Sequence, residues 1–141
     1  MQWLKDFGAS AMTKVAQFNN ANFKNATMAV CALVAASDGD IEKEEKSKVA
    51  NLIGKNEMLA AFNATELRDL FLSYCDKATD EFTRLDLLNL VRKLKGTTDQ
   101  ADMAIRIALS IANADGEYEE AEKKVVKELC GVLGISPAEF V

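Results

Sequence analysis

The sequence contains no histidine. That removes imidazole general bases, Ser-His-Asp triads and His-ligated metal sites together. Any bound metal must be held by oxygen, or by scattered thiols, which points to calcium, magnesium or manganese rather than zinc. Proline occurs once, at Pro137, and the 7 glycines sit mostly at the ends of apolar runs. A sheet protein needs more turn residues, so the composition favours helices. The 3 cysteines, Cys31, Cys75 and Cys130, form no CxxC pair. Each falls at an apolar helical position, so they read as small buried hydrophobes rather than a disulfide framework. No apolar run approaches the roughly 18 residues of a membrane span. Residues 1–6 lack the charged start and apolar middle of a signal peptide, so a cytoplasmic location is expected. With pI near 4.8 and no basic stripe, nucleic-acid binding is disfavoured. No nucleophile lies beside a base and no glycine loop could cradle phosphate, so no enzyme activity is expected.

What remains is the make-up of one soluble domain: 141 residues, 49% hydrophobic and 28% charged. Leu4, Phe7, Ala11, Val15 and Phe18 recur at spacings of three and four, predicting an amphipathic helix over 3–18. Residues 23–37 are apolar nearly all round and read as a central buried helix. Further helices are expected over 41–53 (stopped by Gly54), 57–62, 64–78, 79–95, 99–114 and 118–133, with Asn63 and Thr98 as caps. Ser136-Pro137-Ala138-Glu139 reads as the start of a last short helix. The expected fold is all-α: a single-domain bundle of about seven helices spanning 1–141.

Two segments carry the information. Asp38-Gly39-Asp40-Ile41-Glu42-Lys43-Glu44-Glu45 and Asp115-Gly116-Glu117-Tyr118-Glu119-Glu120-Ala121-Glu122 align at a constant offset of 77 positions. Val30, Val34 and Ala35 continue the match onto Ile107, Ile111 and Ala112. Val49, Leu52 and Gly54 continue it onto Val126, Leu129 and Gly131. The repeated unit is apolar helix, acidic turn, amphipathic helix, over about 23–54 and 99–131. It implies a pseudo-twofold arrangement with the two buried helices packed together.

These 16 residues hold 10 of the 22 acids and carry −9 with Lys43, while the rest of the chain carries +4. Helix punctuation explains part of this. Gly39 and Gly116 would end helices in the left-handed conformation, and Asp40 or Glu117 would cap the helices that follow. Five acids per turn exceed that need, since crowded carboxylates repel one another. The alternative is a cation site. The pattern D-G-x-I-x-x-x-E matches the second half of an EF-hand loop. The loop's first two ligand positions are absent, however, so each turn would complete its shell from water or from acids elsewhere. A helical adaptor whose acidic turns meet a protein partner without metal stays open as a third reading.

Residues 27–39, Glu44-Glu45-Lys46, the second copy Ser110-Ile111-Ala112-Asn113-Ala114-Asp115-Gly116 and the closing segment 133–140 resemble the tellurite-resistance TerB family. The resemblance spans nearly the whole chain. A related helical unit occurs in membrane-anchored DnaJ-type cochaperones. The resemblance implies an all-α bundle, a role in tellurite resistance and stress response, and calcium as the ion. It also implies association with the cytoplasmic face of the inner membrane through the integral membrane protein TerC. It carries the metal ligands onto Asp38, Asp40, Glu42, Glu45, Asp115, Glu117, Glu119 and Glu122. Trp3, Leu4 and Phe7 beside Lys5 suit either docking on the bundle or contact with a membrane surface.

Overall fold

The computed structural model describes Trp3, Leu4 and residues 7–141. The chain is all-helical, with seven α-helices among these residues: α1 (Gly8–Gln17), α2 (Ala21–Ala35), α3 (Lys43–Lys55), α4 (Ala64–Ala78), α5 (Arg84–Arg92), α6 (Thr98–Ala112) and α7 (Glu120–Leu133). A single 3-10 turn, Glu57–Leu59, links α3 to α4.

The centre is α2. Asn20 opens it by accepting the Phe23 N–H on its side chain at 2.8 Å. From Ala26 to Val34 every residue is buried. A helix apolar on all faces needs neighbours on all faces, and α2 packs against α4, α5, α6 and α7. Its most extensive partner is α6, itself buried at Ala101, at 103–105, at 107–109 and at Ile111. The amphipathic α3 and α7 form the outer walls: α3 covers α4 and α6, while α7 covers α5, α2 and α6. Phe23 and Phe71 are fully buried within this core, each burial stabilising by about 1.5–3 kcal/mol.

Helices α2 and α6 begin and end 77 positions apart, as do the starts of α3 and α7. Several expected boundaries move. Gly54 lies inside α3 and does not end it; a Cβ there would meet Arg68 Cδ at 2.9 Å, so this glycine makes room for the arginine of α4. The helix expected from Thr79 starts only at Arg84, because Asp80 Oδ1 takes the Phe82 and Thr83 N–H groups and holds a turn. The cap of α6 is Thr97 rather than Thr98.

The expected last helix is a single turn. Phe140 N–H bonds to the Pro137 carbonyl at 2.8 Å, and Phe140 is buried, pinning the segment down. The first helix starts at Gly8 rather than residue 3. Trp3 instead docks on the bundle: its Nε1 donates to the Glu139 carbonyl at 3.2 Å, and its ring meets Phe7 and Phe140 edge-on. Lys5, the basic flank of the membrane-contact reading, lies outside the described residues. Among the described residues, no helix is long and apolar enough to cross a membrane.

Candidate metal centre

Both acidic turns are built the same way locally. After α2, Gly39 takes φ +93° and its N–H bonds to the Ala36 carbonyl at 2.9 Å. After α6, Gly116 takes φ +83° and bonds to the Asn113 carbonyl at 2.9 Å. A side chain at this φ is strained even in open space. Asp38 Oδ1 then accepts the Asp40 N–H at 3.2 Å, and Asp115 Oδ1 accepts the Glu117 N–H at 3.1 Å. These are Asx turns, which re-aim the chain toward the next helix.

The capping expectation shifts by two residues. The N-cap positions are Glu42 and Glu119, both in extended conformation, not Asp40 and Glu117. Asp40 is spent on the Ile41 N–H at 2.8 Å. At the second turn, Glu122 Oε1 accepts the Glu119 N–H at 2.9 Å. Ile41 is buried; Tyr118, its counterpart, is half-buried and donates its hydroxyl to the Phe140 carbonyl at 2.6 Å.

The two turns face one another. A cleft of about 290 Å³ runs between them, and its rim carries Asp38 and Glu45 from the first turn and Asp115, Glu117, Glu119 and Glu122 from the second. Its apolar floor includes Cys31, Val34, Leu52 and Ile111. Six of the eight predicted ligands therefore share one site. Asp40 and Glu42 are exposed and do not line it, nor do Glu44 and Glu120.

Five of the six cleft carboxylates are exposed, and Glu122 is half-buried. Burial pushes the Glu122 carboxyl above its ordinary range; the bond from Glu119 N–H opposes this, and the charges of Glu119, Asp115 and Glu117 add to it. Asp38 and Asp115 each follow a helix C-terminus, where the helix dipole disfavours negative charge. The acids at the starts of α3 and α7 sit at favourable helix N-termini; Asp38 and Asp115 are the two that the dipole does not favour.

The donor set is all oxygen at the rim and suits a hard cation such as calcium. Among the described residues, no three acidic or thiol side chains converge closely enough to hold an ion as they stand. Exposed carboxylates on flexible stems can rotate inward, and Glu45, Glu117 and Glu119 are of this kind. The thiols do not suit: burial pushes Cys31 and Cys75 up to about 12 and Cys130 to about 11, so none is a thiolate near neutrality.

Sequence comparison identifies the family. The family profile described as "Tellurite resistance protein TerB" matches residues 24–141. The chain belongs to the TerB family. A "Tellurium resistance protein TerB" from Alcaligenes sp. is 25% identical over 105 residues, covering 72% of this chain and 86% of that protein. No solved structure matches. The TerB match begins inside α2 and takes in both acidic turns and every wall of the cleft.

Sequence reading missed Lys48, the one basic residue among the described residues that line the cleft. The signal was present: Lys48 lies three residues past Glu45, on the same helical face, where the offset of 77 places Val125.

Proposed function

We propose that this TerB-family protein acts in tellurite resistance as a non-enzymatic cation-responsive module, holding a divalent ion, calcium, between its two acidic turns. The observation that carries the reading is the shared cleft: six carboxylates, from segments 77 positions apart, open onto one space of about 290 Å³. Calcium takes six to eight oxygens in flexible geometry, which suits donors on two turns and water better than magnesium's strict octahedron. Asp38, Glu45, Asp115, Glu117, Glu119 and Glu122 would hold the ion, supplying charge and oxygen, while the ion itself would bind the two helix–turn–helix units to each other. Titration with calcium, followed by backbone amide shifts, tests this. Shifts at both turns with a common midpoint are expected; no shifts at either, or shifts at one alone, would reject it.

A second reading rests on the four carboxylates outside the cleft. Asp40, Glu42, Glu44 and Glu120 are exposed and do not line it. They suit contact with a basic surface of a partner, and the family resemblance suggests the integral membrane protein TerC at the cytoplasmic face of the inner membrane. Binding of the TerC cytoplasmic segments with calcium and with EDTA separates the cases. A metal-independent complex that is lost on neutralising these four residues favours the adaptor; a complex lost with EDTA favours the ion as its trigger.

A further inference from the structure

We infer that Cys31 and Cys75 form a dithiol site that hydrogen peroxide oxidises to a reversible disulfide, bracing α2 to α4 through the centre of the bundle. Neither residue has a role in the cation reading, and the pair stands whether or not that reading does.

Cys31 lies on α2 and Cys75 on α4, helices that pack extensively against each other, and the two residues are 4% and 1% exposed. Two contacts set the register. Phe23 stacks on Phe62 with ring centres 6.2 Å apart, and Lys24 pairs with Glu66. Cys31 comes seven residues beyond Lys24, and Cys75 nine beyond Glu66. At about 1.5 Å per residue, helices running the same way bring both thiols within one turn of the same level; antiparallel helices would set them roughly 24 Å apart. Electrostatics decides the direction. Burial raises the Cys31 thiol, and charge on Cys75 adds to it, to about 12; a charge has that effect only over a short distance. Ala35 and Ala78, one turn beyond the two cysteines, are small and let the helices approach there. Cys130 is not part of the pair: it lies on α7, where burial and the charge of Asp102 raise it.

Cys31 also lines the floor of the cleft, which gives a small uncharged oxidant a path to it. The Cys31 sulfur attacks one peroxide oxygen, the O–O bond breaks, and the departing oxygen leaves as water with the thiol proton, giving a sulfenic acid. The Cys75 sulfur then attacks the Cys31 sulfur, the S–O bond breaks, and hydroxide leaves as a second water with the Cys75 proton. The two thiols together lose two electrons, and one peroxide becomes two waters. Burial raises the Cys75 thiol to about 12, while the Lys46 ammonium opposes this and favours the thiolate that the second step uses. With both thiols protonated near neutrality, oxidation is slow and records sustained exposure.

The test is tryptic peptide mapping of the folded chain after millimolar hydrogen peroxide, with thermal melts before and after dithiothreitol. An intramolecular link between the Cys31 and Cys75 peptides is expected, lighter by two hydrogens than the reduced pair. Closing a loop of this length should raise the melting temperature by roughly 10 °C, and dithiothreitol should undo both changes. Cys130→Ala should respond as wild type does, whereas Cys31→Ala and Cys75→Ala should gain nothing from peroxide. If either of these variants does not fold, the wild-type peptide map still decides. Sulfinic acid at Cys31 beside a free Cys75, a link through Cys130, two thiols left free, or a cross-linked chain that melts no higher would each overturn the inference.

Discussion

Replacing Asp38 and Asp115 together by asparagine separates folding from function at the two turns. Asparagine keeps the Oδ1 that accepts the Asp40 and Glu117 N–H groups, so both Asx turns survive and only charge is lost. Of the fifteen carboxylate pairs in the cleft, nine include one of these two residues. At separations of roughly 8 Å in water each pair repels by about 0.5 kcal/mol, which salt reduces to about 0.2 kcal/mol. After allowing for lost attraction to Lys48, the double variant should be more stable than wild type by about 1 kcal/mol without metal. In a domain of this size that raises the melting temperature by roughly 3 °C. Relief of two charges behind helix C-termini acts in the same direction. Calcium at a hundredfold excess over Kd should then stabilise wild type by about 2.7 kcal/mol, or roughly 9 °C, and leave the variant nearly unmoved. The order of the two melts should thus invert between EDTA and calcium, as read by differential scanning calorimetry at matched ionic strength. A variant that melts below wild type in EDTA would show that the acids serve the fold. Equal calcium shifts in both proteins would show that the ion is held elsewhere.

Glu122→Gln should flatten the pH dependence of metal-free stability. A carboxyl raised on folding binds its proton more tightly in the folded state, so its contribution is fully present below the unfolded value of about 4.5 and is lost as pH rises through the folded value; urea melts from pH 4 to 7 on both proteins would show the difference, and parallel slopes would refute it. Tyr118→Phe should cost about 1 kcal/mol by orphaning the Phe140 carbonyl, visible as a lower urea midpoint with an unchanged slope. Cys31→Ser and Cys75→Ser should each cost about 1–3 kcal/mol by burying a hydroxyl where a thiol packs, yet leave tellurite resistance intact in cells where the variants still fold. Loss of resistance in a folded cysteine variant, beside an active Asp38→Asn/Asp115→Asn protein, would reverse the assignment of the working residues.

The helices were legible because their apolar spacing is strong and their stop residues are chemically explicit. The left-handed φ of Gly39, Gly116 and Gly134 was foreseeable from their place after apolar runs. Boundaries failed where a side chain competes with the helix for backbone N–H groups, as Asp80 does ahead of α5. Gly54 misled because a glycine that makes room for Arg68 looks, in one dimension, like a glycine that ends a helix. The two acidic turns were evident from charge density alone. That they face one cleft was not, because periodicity fixes which side of each helix is buried but not how two distant turns are aimed. The split between cleft residues such as Glu45 and outward ones such as Glu42 is a matter of that aim. Lys48 was hidden by being an ordinary helical lysine until α3 and α7 are placed opposite each other.

The cleft walls come from turns 77 positions apart, which ties the site to the order in which the chain acquires its structure. Contacts of that separation require a large loop to close before they give any return, so they form late on the folding path. Neither helix–turn–helix unit alone presents six carboxylates to one ion. An ion that needs both would find no site in the unfolded chain and only an incomplete one in the transition state. Its influence would therefore fall on the rate at which the folded protein opens, with the rate of closing nearly unchanged. Cation binding here would act as a brake on unfolding, lengthening the life of each folded molecule rather than hastening its birth.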